Sequence, residues 1–382
     1  MDKFYRDTVI EIDLDQIKSN IMEVKEKCSK DKFLYSVIKG DAYGHGIVQI
    51  GGLAIESGAD GLAVATMDEA MLVRKNYPDV KILYLGVTRD EDILSACENE
   101  ITITVAHDQS VAYLADLALP KKLYVHMKAN TGMNRIGYNN VSQLKKAITA
   151  LEKNPQIVIE GIFTHFATAD EAPKSYYMRE QLARFKEMIQ ELNYDFKQIH
   201  CTNSGSLLKL HDQLDFTTAN RFGVAMYAAL QDGIQDMYNL KGGFILKTKI
   251  IQVSTYPKGT KLSYGCEYTT QKDDEQIATL PIGYADGFNR MYTNTKVKCG
   301  DQYGIISGRV CMDQCMVRFD QPVKVGDEVI LISNDPEIDV YRRSEQSHTI
   351  TQEVFVRFNY RVPRIYYKNG KIVAIDNYIT RK

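Results

Sequence analysis

The run Phe33-Leu-Tyr-Ser-Val-Ile-Lys39 ends an apolar segment on an amine, and Gly40-Asp-Ala-Tyr43-Gly44-His45-Gly46 follows it directly. Burying an ammonium costs several kcal/mol. A lysine there either snorkels to the rim of the fold or is an amine of lowered pKa, suited to a Schiff base with a carbonyl. Three other positions end similar runs. Ile162-Phe-Thr-His165 closes on an imidazole, and Cys201-Thr-Asn203-Ser204-Gly205-Ser206 is a small, hydroxyl-rich turn opening a helix. Asn220-Arg221-Phe222-Gly223-Val224 sets a guanidinium beside glycine. Singly, His165 reads as a satisfied core histidine, Ser204 as a helix N-cap and Arg221 as an ion-pair partner. Together they describe a site for a phosphorylated aldehyde cofactor, because small residues and backbone N–H groups at such turns bind phosphate.

The elements that must position these groups follow from periodicity. Short apolar or β-branched runs occupy 33–38, 61–65, 81–85, 102–105, 123–127, 158–164, 197–201 and 219–224. Segments with apolar residues at three- and four-residue spacing lie around them, at 17–28, 67–75, 111–119, 141–151 and 176–192. Eight strands alternating with helices predict an α/β fold, either a (β/α)8 TIM-like barrel or an open doubly wound sheet. No G-x-G-x-x-G follows the first run, which favours the barrel. After Lys241 the texture changes to closely spaced strands at 244–253, 277–280, 303–310, 316–319 and 328–332, with one helix near 351–358. The expected organisation is therefore a barrel over 1–240 and a mostly β domain over 241–382, with 334–347 as a surface loop.

Composition narrows the function classes. The 382 residues are 44% hydrophobic and 25% charged, ordinary for a soluble globular protein. Lys plus Arg (47) nearly balances Asp plus Glu (49), so no basic excess exists to bind nucleic acid. The N-terminus lacks an apolar h-region, and no stretch is long enough to span a membrane. Seven dispersed cysteines without a C-x-x-C pair argue against disulfides or structural zinc and fit a reducing cytoplasm. There are 24 tyrosines and no tryptophan. A phenol can accept or release a proton where an indole N–H only donates.

The segment Val37-Ile-Lys39-Gly-Asp-Ala-Tyr43-Gly-His-Gly46 resembles the pyridoxal-phosphate attachment motif of bacterial alanine racemases. The resemblance continues in order through Thr131-Gly-Met-Asn-Arg135-Ile-Gly, Phe163-Thr-His165-Phe-Ala-Thr-Ala-Asp170, His200-Cys-Thr-Asn203-Ser204 and Arg221-Phe-Gly223. It extends through Ser263-Tyr264-Gly, Ile282-Gly-Tyr284-Ala-Asp-Gly287, Gly308-Arg309-Val-Cys-Met312-Asp313-Gln and Tyr360-Arg-Val-Pro-Arg364. The lysine motif alone marks only the wider barrel family. The tyrosine and Cys-Met-Asp-Gln segments are more specific to the racemases.

The resemblance implies roles. Lys39 would carry pyridoxal 5'-phosphate covalently and act as base on one face of the substrate Cα. Tyr264, from the other subunit of a homodimer, would act on the opposite face. A free phenol has a pKa near ~10 and needs help as a base, for which His200 is the candidate. Arg221, positioned by His165, would face the pyridine nitrogen and, being unable to give up a proton, favour racemisation over transamination or decarboxylation. Phosphate contacts would be Tyr43, Ser204, Gly223, Val224 and Tyr360, and carboxylate contacts Arg135 and Met312. Ala169, Asp170, Tyr284, Arg290, Arg309 and Asp313 match the substrate corridor. Lys128 matches a position carbamylated in some relatives, with an ordinary surface lysine as the alternative. No metal is implied.

Three residues depart from the family pattern: Asn130 for the usual Asp, Asn134 for Gly, and Phe222 for Pro. The first two flank Arg135 and bear on side-chain selectivity. Racemisation of serine or a broader set of small amino acids, and a non-catalytic pyridoxal-phosphate carrier, are the alternatives to alanine.

Overall fold

The computed structural model describes residues 1–169, 171, 174–230 and 238–380. Contacts divide the chain into two compact units. One comprises Lys18–Ala42 and Ile47–Leu240; the other comprises Met1–Ile17, Tyr43–Gly46 and Lys241–Lys382.

The strand β1 (Val9–Asp13) belongs to the second of these units. The barrel strands are β2 (Phe33–Val37), β3 (Gly61–Val64), β4 (Lys81–Val87), β5 (Ile101–Val105), β6 (Leu123–Lys128), β7 (Ile157–Phe163), β8 (Gln198–His200) and β9 (Ala219–Phe222). They form one parallel sheet in the order β8-β7-β6-β5-β4-β3-β2-β9. Between β8 and β9 the ring is nearly closed, bridged where the Thr218 amide donates to the Ile199 carbonyl at 3.0 Å. This is the expected barrel. Parallel strands covered by helices read as continuous apolar runs rather than as alternation. Inside, Tyr35, Val37, Ala63, Leu83 and Ala219 form a packed cluster, each large side chain contributing about 1.5–3 kcal/mol by leaving water.

Helices form where the sequence caps them. Thr66 opens the helix Met67–Asn76 with a capping box completed by Glu69, and Asn203 opens Ser204–Leu210 in the same way with Ser206. Both caps sit at barrel strand ends, so cap formation and strand placement reinforce each other.

The other unit is built on a ten-stranded sheet. Its later strands are β10 (Phe244–Lys249), β11 (Gln252–Tyr256), β12 (Lys261–Leu262), β13 (Tyr268–Thr269), β14 (Glu275–Leu280), β15 (Lys296–Cys299), β16 (Gln302–Ile306), β17 (Cys315–Arg318), β18 (Glu328–Ile332), β19 (Arg364–Lys368) and β20 (Lys371–Asp376). The sheet order is β11-β14-β17-β16-β15-β18-β10-β1-β19-β20, while β12 and β13 pair separately. Residues 334–347, expected as a loop, contain the helix Val340–Gln346. Asp339 caps it, and the fully buried Arg343 rivets it by donating to the Leu331 and Lys296 carbonyls. All seven cysteines are free thiols. Among the described residues no helix is long and apolar enough to cross a membrane, and no His/Cys/Asp/Glu cluster could hold a metal.

Candidate active site

Lys39 follows β2 and is half-buried at the start of the turn Lys39–Gly44. That turn is left-handed: φ is +64° at Gly40, +53° at Asp41, +54° at Ala42, +55° at Tyr43 and +78° at Gly44. L-residues pay roughly 1–2 kcal/mol each for this conformation, so surrounding bonds must hold it. The Ala42 amide donates to the Ile38 carbonyl at 2.8 Å, Ile47 donates to the Asp41 carboxylate at 2.8 Å, and Gly40 donates to Glu69 at 2.6 Å. Glu69 also accepts from the Ala65 and Thr66 amides, tying the ends of β2 and β3 together. Such stored strain concentrates at functional sites.

Lys39 belongs to a group of cationic side chains, of which Lys128 and Arg221 are buried. Its pKa is lowered by burial, then by the charges of Arg135 and Arg221, against a weaker pull from Glu69. Lys128, at the end of β6, is buried. Its amine donates to the Ala129 carbonyl at 2.9 Å and sits 4.9 Å from the Phe163 ring centre. Burial, then Arg221 and Arg135, hold it well below the usual lysine range. His165 is likewise held well below the ordinary imidazole value, by burial and then by Arg221, Lys128, Lys39 and Arg135. The structure thus brings Lys39, Lys128, Arg135, His165 and Arg221 into one electrostatic cluster.

Arg221, in β9, is buried and tightly held. Its Nη2 donates to the Thr164 carbonyl at 2.8 Å and faces His165 Nδ1 at 3.4 Å, while its Nη1 donates to His200 Nδ1. Burial lowers the guanidinium to about 10, so it stays charged near neutrality. His200 was expected to assist Tyr264. Instead both its ring nitrogens are engaged inside the barrel, Nδ1 by Arg221 and Nε2 by His126 Nδ1 at 2.9 Å, leaving none for a phenol.

Ser204 begins the helix Ser204–Leu210, and its hydroxyl oxygen accepts from the Gly223 amide at 3.0 Å and the Ala225 amide at 3.3 Å. Its one O–H remains to donate, next to the backbone of Gly223 and Val224. A hydroxyl donor and a half-buried amine of lowered pKa fit a phosphorylated aldehyde, the one for its phosphate and the other for its carbonyl. Ala169 is buried, and its carbonyl accepts from Lys209 at 2.8 Å. Asp170 lies outside the described residues.

Around Arg135 the departures form a set. Asn134 has φ +56°, a conformation Asn tolerates better than most residues. The Asn130 carbonyl oxygen accepts from the Asn134 amide at 2.9 Å and the Gly132 amide at 3.2 Å. Its amide nitrogen donates to Asn134 Oδ1 at 3.1 Å and Asn139 Oδ1 at 2.6 Å. Phe222 is fully buried in β9, opposite Ser36.

The remaining candidates lie in the unit with the large sheet. Tyr43 is in the left-handed turn, and its carbonyl faces His45 Nδ1 at 3.0 Å. Tyr264 is 70% exposed, in the loop joining β12 to β13. Ser263 before it has φ +65° and donates to the Arg309 carbonyl at 2.8 Å. A side chain at Gly308 would meet Ser263 Cβ at 2.5 Å, so glycine is required there. Arg309 pairs with Glu267, and Arg290 lies on a turn whose carbonyl shares the Thr293 hydroxyl with that of Gly308. The Tyr284 and Ala285 amides donate to the Cys311 and Met312 carbonyls, joining those two segments. Asp313 accepts from Arg361 at 2.7 Å, beside the exposed Tyr360.

Sequence reasoning missed His126, Glu160, Thr164 and Gln181. His126 and Glu160 carried a readable signal, a titratable group inside an apolar strand. Gln181 is fully buried and holds the backbone on both sides of Phe166, donating to the His165 carbonyl and accepting from the Ala167 amide.

The family model described as alanine racemase, N-terminal domain, matches residues 12–231, and that described as alanine racemase, C-terminal domain, matches 244–366. The alanine racemase of Geobacillus kaustophilus is 39% identical over 389 residues, covering 100% of both chains. The solved alanine racemase of Clostridium difficile superposes with a TM-score of 0.92 at 36% identity, covering 99% of this chain and 100% of that one. A solved histidine racemase from Leuconostoc mesenteroides gives 0.86 at 27% identity, covering 96% and 100%. The chain belongs to the alanine racemase family.

Proposed function

We propose that this protein interconverts L- and D-alanine, using pyridoxal 5'-phosphate attached to Lys39, as a homodimer in which Tyr264 of the partner subunit supplies the second acid/base group. Its product would serve peptidoglycan synthesis in the cytoplasm. The observation that carries this reading is Arg221. The buried residue sharing Lys39's electrostatic cluster is a guanidinium fixed by His200, Thr164 and His165. The cofactor, when bound, withdraws electrons from the substrate Cα–H bond.

The chain's own residues do the rest. The lowered pKa of Lys39 keeps a larger fraction of its amine neutral, as a nucleophile or base requires. Ser204 presents its O–H beside Gly223 and Val224 to a phosphate. Arg221 would donate to a ring nitrogen without releasing its own proton, and would so leave that nitrogen unprotonated. Arg135 would bind the carboxylate. Because His200 is committed to Arg221, His165 is the imidazole that remains to assist Tyr264. Lys128, buried among cations and held well below the usual lysine range, is suited as a neutral amine to add to carbon dioxide, releasing a proton and leaving a carbamate anion among those cations.

The deciding experiment is an assay of the purified, cofactor-loaded protein with L-alanine and D-alanine, run beside serine and histidine. Turnover of alanine in both directions above the other two supports the assignment. Faster turnover of serine or histidine overturns the substrate, and bound yellow cofactor with no racemisation overturns the enzyme.

A further inference from the structure

Behind Arg221 a chain of hydrogen bonds crosses the barrel interior. Arg221 Nη1 meets His200 Nδ1, His200 Nε2 lies 2.9 Å from His126 Nδ1, and His126 Nε2 lies 3.3 Å from Glu160 Oε2. The other Glu160 oxygen accepts from Lys81. The backbone is shaped for this chain. The pairing of β6 with β7 runs Val125 to Ile159 and then His126 to Gly161, so Glu160 is the extra residue of a β-bulge. A side chain at Gly161 would come within 2.8 Å of His126 Nε2, so only glycine admits the imidazole. Phe163 stacks flat on His200 at 4.9 Å, fixing the ring plane.

The direction of every bond follows from donor chemistry. A guanidinium has no acceptor, so His200 Nδ1 carries no proton and accepts from Arg221. A neutral His200 then carries its proton on Nε2 and donates to His126 Nδ1. His126 in turn is protonated on Nε2 and donates to the carboxylate, which only accepts. Each imidazole has one possible tautomer. Both are held neutral: burial lowers His200 well below its ordinary value, and it lowers His126 despite the opposing pull of Glu160. Burial alone would raise the Glu160 pKa, but the hydrogen bonds from His126 and Lys81 outweigh it and keep the group ionised.

We propose that Glu160, through His126 and His200, is a positioning residue for Arg221, fixing both tautomers so that an anion behind the barrel anchors the guanidinium at its mouth. Aligned hydrogen bonds polarise one another, so the carboxylate makes His200 Nδ1 a stronger acceptor and holds Nη1 in place. This rests on the assigned role of Arg221 toward the cofactor ring.

Neutron diffraction from the perdeuterated holoenzyme reads the tautomers directly. Deuterium on Nε2 of both His126 and His200, and on Nδ1 of neither, is expected, and deuterium on His200 Nδ1 would overturn the proposal. Glu160→Gln keeps an acceptor but removes the charge. It should lower kcat at least about tenfold with cofactor retained and KM for alanine little changed, and Glu160→Asp should recover part of the loss. A Glu160→Gln enzyme with wild-type kcat, whatever its thermal stability, means the chain only packs the barrel. If the tautomers are as expected but the wild-type enzyme does not racemise alanine, the functional reading fails and the tautomer chain stands.

Discussion

Ser204 and Gly223 are joined across two barrel strand ends, the Gly223 amide donating to the Ser204 hydroxyl at 3.0 Å, with the Ala225 amide on the same oxygen at 3.3 Å. Ser204→Ala therefore removes one outward O–H and orphans two buried amides. Unsatisfied buried donors cost about 1–3 kcal/mol, so pyridoxal 5'-phosphate should bind roughly tenfold or more weakly. Titration followed by the cofactor's visible absorbance checks this; undiminished affinity would place the phosphate elsewhere.

Lys39→Ala and Tyr264→Phe should each abolish or nearly abolish racemisation, for different reasons. The first loses the borohydride-reducible attachment of the cofactor. The second keeps the attachment and slows proton transfer on one face, by roughly 10²–10⁴-fold for a lost acid/base group. Mixing the two inactive variants under conditions that exchange subunits should restore activity, because one site then holds an intact Lys39 and the partner subunit's intact Tyr264. No recovery on mixing, with exchange shown independently, would place both groups on one chain.

Lys128 gives a stability prediction whose sign is fixed. Its pKa is held well below the ordinary lysine value by burial and by Arg221 and Arg135. Between that lowered value and about 10.4, the unfolded chain binds more protons than the folded one. The lysine's contribution therefore becomes more favourable as pH rises through that window, and its penalty is full below it. Lys128→Met should accordingly stabilise the carbonate-free protein most near neutral pH, with the advantage shrinking toward alkaline pH, read from urea midpoints. Bicarbonate should stabilise the wild type and not the variant. Labelled bicarbonate that leaves no carbamate signal on the wild type would rule out the modification.

The barrel was legible because its strands are buried on both faces and interrupted by helix-period segments. Lys39, His165, Ser204 and Arg221 could be singled out because each ends such a strand. Val9–Asp13 was not assignable to the large sheet, since its partners β10 and β19 come from the far end of the chain. The helix Val340–Gln346 was hidden because Arg343, polar in sequence, is buried by carbonyls that only the tertiary fold supplies. The role of His200 failed for a related reason. A sequence shows that an imidazole ends a strand but not which group its nitrogens meet, and here Arg221 and His126 take both.

Asn130 and Asn134 support a last prediction. An Asp at 130 could still accept from the Gly132 and Asn134 amides, but it could not donate to Asn134 Oδ1 or Asn139 Oδ1 as the Asn130 amide does. Asn130→Asp alone therefore turns two hydrogen bonds into contacts between acceptors and should loosen the turn preceding Arg135, raising KM for alanine more than it lowers kcat. Asn134→Gly alone keeps the +56° backbone accessible and removes one of the acceptors. The double variant, restoring the family pattern at both positions, should then recover much of the KM lost by Asn130→Asp, a non-additivity expected of residues in one hydrogen-bond network. Asn134→Ala tests the backbone separately, since a residue without a polar side chain at positive φ should cost about 1–2 kcal/mol. If the two substitutions at 130 and 134 combine additively in KM, the asparagines are independent and the turn is set by its backbone alone.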